Sequence, residues 1–167
     1  DTEYDETYLR FVEWKGEDKC VYLQGLMGAN RADVESIEAV LSIKDLKAVV
    51  VGKILSDRMA VFEERFGKDF KERVFFTGQV KTPQYIKQCF TALVFYKNSS
   101  PNNWFCEPNR MFQNVINGNP VVVGSNPPMK EYVELNGFGI SVDTDGSDVE
   151  KIVEGLKQVI ANYNEYK

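Results

Sequence analysis

Six short, largely apolar runs punctuate the chain: Cys20–Gln24 before Gly25, Leu46–Val51 before Gly52, Arg73–Thr77 before Gly78, then Ala92–Tyr96, Pro120–Val123 and Gly139–Val142. Runs this short, without a regular polar alternation, are the mark of strands buried on both faces, as in a parallel sheet. Between them apolar residues recur at helical spacing, as Val34, Ile37, Val40 and Leu41 and again as Met59, Phe62 and Phe66. Ser56 and Asp57 offer the second of these helices a cap, and Gly67 a stop. A short helix is expected over Pro83–Gln88 and a polar loop over Lys97–Asn103, long enough to mark a functional edge. Pro108 at a first helical position and Gly118 just past the end bracket a helix bearing Met111, Phe112, Val115 and Ile116. Pro128–Leu135 reads as a further helix. Ser147 with Glu150 reads as a capping box for a last one, whose stripe is Val149, Ile152, Val153, Leu156, Val159, Ile160 and Tyr163.

Strand and helix alternating six times predict an α/β domain of Rossmann type, a three-layer α/β/α arrangement with a parallel sheet of about six strands. In such sheets ligands bind outside the carboxyl ends of the strands, so the loops leaving those ends are where function is sought. The expected division is a lead-in or linker of unassigned structure over residues 1–19 and one domain over 20–167.

The whole sequence has 167 residues, enough for one sizeable core. Its 25 acidic and 20 basic residues, net charge -5, speak against a phosphate-backbone binder, so no nucleic-acid partner is expected. No apolar stretch nears the ~20 residues that span a bilayer. The chain opens at Asp1 without methionine, basic region or apolar region, so a secretory leader is expected to be absent or already removed. Cys20, Cys89 and Cys106, odd in number and widely spaced, read as reduced thiols and favour the cytoplasm. The absence of histidine excludes Ser-His-Asp, Cys-His and His-metal chemistry within these residues.

The loop Gly25-Leu-Met-Gly-Ala-Asn-Arg31 leaves the first strand and feeds a helix, so its amides and Arg31 are placed to meet a phosphate. Equally, it reads as a glycine-bearing turn followed by a solvated arginine, being neither a Walker loop nor a dinucleotide fingerprint. In Glu107-Pro-Asn-Arg-Met-Phe-Gln113 the positive end of a helix would face the same crevice, with Glu107 and Gln113 bracketing a ligand rich in hydroxyls. The plainer reading is capping plus a wet helix face. Lys53, just past the second strand, lies at the same edge, though a lone lysine there is usually solvated. Asp143-Thr-Asp145 has the D-x-D spacing of some metal sites, but turn chemistry before Ser147 accounts for it. The segment to Glu150 also misses calcium-loop spacing, so no metal and no cofactor are expected.

The run Glu107-Pro-Asn-Arg-Met-Phe-Gln-Asn-Val-Ile-Asn-Gly-Asn-Pro-Val-Val-Val123 resembles a hallmark of the large retaining family of GT-B glycosyltransferases, usually E-x-x-x-P-x-K-x-x-E-x-x-A-x-G-x-P-V-V. Arg73-Val-Phe-Phe-Thr-Gly-Gln-Val80 is similar to that family's V-x-F-x-G-x-V segment. Met129-Lys-Glu-Tyr-Val133 and Gly137 to Asp143 extend the likeness, which covers nearly everything from Cys20 onward. It implies one half of a GT-B fold, the C-terminal domain that holds a nucleoside-diphosphate sugar, while a separate N-terminal domain holds the acceptor. By position it implies Gly25 at the strand end and Arg31 on the diphosphate. It implies Gly78 and Val80 at the wall for the base. Main-chain groups of Asn109, Arg110, Met111 and Phe112 would approach the sugar or diphosphate, and Gln113 would stand where an acid usually holds the ribose. Arg31 and Glu107 are the residues expected to carry catalysis. Leu26, where the family often has arginine, and Gln113 depart from the pattern.

Two other readings stay open. The first is a degenerate transferase domain kept for binding, to which Leu26 and Gln113 lean. The second is a GT-B-shaped nucleotide-sugar epimerase, against which the lack of histidine counts. A dehydrogenase is weaker, since no glycine fingerprint follows the first strand and Gly52 and Lys53 stand where an acid would follow the second.

Overall fold

The computed structural model of the protein describes residues 2–24, 28–81 and 83–163, without the side chains of residues 2–5. The apolar runs form β1 (Cys20–Gln24), β2 (Lys47–Val51), β3 (Val74–Phe76), β4 (Thr91–Val94), β5 (Val121–Val123) and β6 (Gly139–Ser141). They lie in the order β3-β2-β1-β4-β5-β6, and every pairing is parallel. This is the order of a doubly wound sheet, and its direction of winding reverses between β1 and β4.

The helices are α1 (Thr2–Lys15), α2 (Asp33–Leu41), α3 (Ser56–Phe66), α4 (Pro83–Ile86), α5 (Pro101–Trp104), α6 (Asn109–Ile116), α7 (Pro127–Asn136) and α8 (Val149–Asn162). Because strand side chains alternate, each strand feeds two cores. Val21, Leu23, Val50 and Val122 meet Ile37 of α2, Phe62 of α3 and Ile152, Leu156 and Val159 of α8. Cys20, Tyr22, Val49 and Val121 instead meet Phe11 of α1, Ile86 of α4, Met111 of α6 and Met129 and Val133 of α7. The result is the expected three-layer, Rossmann-like α/β/α arrangement.

Several local expectations are revised. The lead-in holds a helix, and its Phe11 is fully buried, with Tyr85, Phe75 and Trp14 rings packed about it. The polar loop after β4 contains α5, capped by Ser100, whose Oγ accepts from the amide of Asn103 at 3.3 Å. A 3-10 turn at Lys68–Glu72 separates α3 from β3. Leu55 takes the cap position of α3 with no side-chain bond, leaving Asp57 to favour the positive helix end from its first turn. Pro108 precedes α6 in extended conformation instead of occupying its first turn, and Gly118 lies beyond its end at φ 77°. The cap of α8 is Asp148, whose Oδ1 accepts from the amides of Glu150 at 3.1 Å and Lys151 at 3.4 Å. Ser147 points instead to Asp145.

Candidate functional site

The crevice at the β1/β4 reversal is built from the chain leaving each strand. After β1, Gly25 and Leu26, both singled out from the sequence, lie outside the described residues. The chain then passes through a 3-10 turn at Ala29–Arg31 and enters α2 through Ala32 at φ 54°. After β4, Phe95 is buried and Tyr96 half-buried. The two loops are stitched together. The amide of Lys97 donates to the Asn30 carbonyl at 2.7 Å, Lys97 forms an ion pair with Glu35, and the amide of Asn98 donates to Asp145 Oδ2 at 2.9 Å. Gly146, at φ 107°, packs against this junction so closely that a Cβ would stand 2.7 Å from that of Ala32 and 2.9 Å from that of Phe95. Only glycine satisfies both the angle and the space.

Two guanidiniums meet over one ring here. The Cζ of Arg31 lies 5.3 Å from the centroid of Tyr96, and that of Arg110 lies 4.7 Å from it. Arg110, the second residue of α6, is only 8% exposed, and its Nη2 donates to the Phe95 carbonyl at 3.2 Å. Its Nε is buried with no hydrogen-bond partner among the described residues. Burial lowers the Arg110 pKa from the usual arginine value; Tyr96 opposes the shift and the positive Arg31 adds to it. The group stays a cation, as arginine does in proteins. Two like charges confined together in a partly dry crevice favour an anion beside them.

The start of α2, next to Arg31, already has its own anion. Asp33 is fully buried, accepts from the amide of Val34 at 2.7 Å, and takes two bonds from Arg58 at 2.8 and 2.6 Å. The start of α6 is different. Its first turn has no acidic residue, and its leading amides have no carbonyl one turn back within the helix. Arg110 itself rises from that turn.

Each remaining residue singled out from the sequence has a definite place. Asn109 and Gln113 are exposed on α6, while Met111 is fully buried and Phe112 packs edge-on to Tyr132 at 4.9 Å. Met111 and Phe112 therefore have their side chains in or against the core, and the Met111 amide donates to the Pro108 carbonyl at 3.1 Å. Lys53 is exposed beyond β2, and Gly78 beyond β3 is tied back by the Gly52 amide, which donates to its carbonyl at 3.1 Å. Val80 is half-buried beside the second core. These three sit at the same sheet edge as the arginines, but over β2 and β3. Glu107 is exposed and lines a groove with Pro127, Glu131, Tyr132 and Leu135, on the α7 side. Asp145 is engaged as turn chemistry predicts: its Oδ1 accepts from the amide of Ser147 at 3.1 Å and from its hydroxyl at 2.6 Å.

Sequence reasoning missed two contributors. Tyr96 read as the end of a strand, since it closes an apolar run. Asn126, fully buried before α7, donates through Nδ2 to the Tyr96 carbonyl at 2.7 Å and so anchors the ring's backbone. Its position just ahead of Pro127 and Pro128 was the available signal, because such asparagines tie turns together. Among the described residues no group of His, Cys, Asp or Glu is arranged to hold a metal ion, and no helix is long and apolar enough to cross a membrane.

A search of protein-family profiles finds no match to the sequence, and a search of curated proteins finds none either. Solved structures do match by shape. HepE from Anabaena, in complex with UDP and glucose, superimposes with a TM-score of 0.75 at 16% identity, over 99% of this chain and 46% of that one. WaaG, a glycosyltransferase involved in lipopolysaccharide biosynthesis, gives 0.69 at 15% identity over 98% of this chain and 43% of its own. Sucrose-phosphate synthase from Thermosynechococcus elongatus gives 0.68 at 14% identity over 97% and 41%. The protein thus spans less than half the length of these structures and has the fold of one half of a GT-B glycosyltransferase. Identities this low establish the fold and nothing finer.

Proposed function

We propose that this chain is the donor-binding, C-terminal half of a two-domain glycosyltransferase, holding a nucleoside-diphosphate sugar while a partner N-terminal domain presents the acceptor. The observation that carries this reading is the Arg31 and Arg110 pair over Tyr96, next to the start of α6, at the reversal point of the sheet. That HepE has been solved with UDP-glucose supports a ligand of this class.

In glycosyl transfer the departing nucleoside diphosphate gathers negative charge as the sugar takes on oxocarbenium character, so fixed positive groups at the diphosphate lower the barrier. Arg31, Arg110 and the leading amides of α6 would supply that charge without a metal. Gly78 and Val80 would border the base and Lys53 the outer phosphate side. Gln113 would meet the ribose and Glu107 the sugar hydroxyls. Gln113 in place of an acid favours the second reading, a degenerate module that binds weakly and does not transfer.

Calorimetric titration with UDP, GDP, ADP, CMP and their common sugar conjugates separates the two. One nucleotide should bind saturably, and both Arg31→Ala and Glu107→Ala should weaken it. Gln113→Glu should tighten it by about 1 kcal/mol, roughly fivefold, as a neutral bond to the ribose becomes charge-assisted. Tight binding insensitive to all three substitutions would move the site elsewhere, and no binding at millimolar ligand would favour the degenerate module.

A further inference from the structure

We propose that Cys20 and Cys89 are a redox-sensitive dithiol, which a small-molecule disulfide of the glutathione kind converts to an internal disulfide at the amino edge of the sheet. Cys20 opens β1, and Cys89 stands two residues ahead of β4. Val21 pairs with Thr91 in that ladder, and the amide of Phe90 donates to the Cys20 carbonyl at 3.1 Å. The two cysteines are therefore one register step apart on neighbouring chain segments. Side chains so offset in a regular strand pair point to opposite faces. Cys89, however, belongs to the turn after α4, and its side chain enters the same buried cluster as that of Cys20, with Phe11 and Tyr85. A side-chain hydrogen bond joins the two thiols. Cys106 follows α5 at the carboxyl edge, where its Sγ donates to the Asn103 carbonyl at 3.1 Å.

Both sulfurs are hard to reach, since Cys20 is fully buried and Cys89 only 7% exposed. Burial, and then the bond to Cys20, hold the Cys89 thiol well above the usual range. Exchange therefore waits on a local opening of this edge, and Cys89, the more exposed of the two, reacts first. Its thiolate attacks one sulfur of oxidised glutathione, forming a mixed disulfide and releasing one glutathione thiolate. The Cys20 thiolate then attacks the Cys89 Sγ, forming the internal bond and releasing the second. Two protons pass from the cysteines through water to the two glutathiones; the pair is oxidised by two electrons and oxidised glutathione is reduced by two. What favours the product is that the folded chain holds both sulfurs together before the bond forms. The bridge ties the start of β1 to the turn after α4 and leaves the crevice at the other edge of the sheet unaltered.

The test equilibrates the whole chain with fixed ratios of reduced to oxidised glutathione, starting from both the reduced and the pre-oxidised protein until the two agree. After acid quenching and alkylation, mass spectrometry of the peptides reads the pairings. Cys20 linked to Cys89 should be the product, with Cys106 outside it. Its equilibrium constant should be at least about tenfold larger than for the same pair in denaturing urea. The oxidised chain should also have a higher urea midpoint than the reduced one. Cys106→Ser should retain both effects, and Cys20→Ala and Cys89→Ala should each lose them. A folded chain that favours this disulfide no more than the unfolded one overturns the proposal. So does an end product that is a mixed disulfide or contains Cys106, or an unchanged midpoint. The wild type alone decides these outcomes, so they stand even where an alanine variant fails to fold.

Discussion

Arg110 is an arginine almost sealed from water whose Nη2 donates to the Phe95 carbonyl, and the thiol of Cys106 lies within the field of its charge. Burial pushes Cys106 above the usual thiol range, while Arg110, a backbone hydrogen bond and Arg31 pull it down without overcoming burial. Its Sγ also donates to the Asn103 carbonyl at 3.1 Å. Since the thiolate is the nucleophile, iodoacetamide should label Cys106 more slowly at neutral pH than a free peptide thiol, and faster as pH rises past that range. An anion at the arginines removes their pull and should slow labelling further. Mass spectrometry would read this, with buried Cys20 and Cys89 as internal controls. Rapid labelling at neutral pH, unaffected by pyrophosphate, would contradict the placement of Cys106 beside the cation pair. At this scale the sequence left Arg31 with two equal readings, a phosphate contact or a solvated arginine after a glycine-bearing turn, and its nearness to Tyr96 could not be read from either. Arg110 was legible only as a position on a helix, since a polar residue between Asn109 and Met111 looks the same in sequence whether it faces water or the core. Tyr96 was hidden by its neighbours, as an aromatic residue closing Ala92-Leu-Val-Phe reads as one more buried strand residue.

The elements that place these residues differ in how plainly the sequence announces them. The strands are plain, because β-branched residues buried on both faces leave few alternatives. The start of α8 is less so: Ser147 and Glu150 have capping-box spacing, yet Asp148 makes the cap because Ser147 is turned back onto Asp145. Asp148→Ala should therefore cost about 1 kcal/mol in urea unfolding and Ser147→Ala distinctly less. The opposite ranking would restore the capping box. The α5 helix and the 3-10 turn at Lys68–Glu72 escaped notice because one turn is too short to show a period. The α1 helix escaped for another reason. Tyr8, Phe11 and Trp14 form its inward stripe, but exposed Leu9 and Val12 blur the contrast between faces.

At the scale of the molecule, α1 lies against one face of the sheet through Tyr8, Phe11 and Trp14. Phe11→Ala removes a fully buried ring surrounded by other rings, and should destabilise the chain by about 3–5 kcal/mol in urea titration. A loss below about 1 kcal/mol would mean that α1 is only loosely attached. The order β3-β2-β1-β4-β5-β6 brings the loops after β1 and β4 together, and in doing so makes one crevice from residues far apart in sequence. That the two arginines meet over one ring lies beyond sequence pattern, since it depends on the two loops packing through Gly146, Lys97 and Asn98. We propose this crevice as the binding place of a nucleoside-diphosphate sugar. Amide chemical-shift mapping of the isotope-labelled chain during titration with UDP-glucose, and with the GDP and ADP conjugates if that one is silent, addresses it most directly. Shifts should concentrate in residues 28–32, 52–54, 77–81 and 95–113, at the carboxyl edge of the sheet. Shifts confined to the opposite edge of the sheet would overturn this reading.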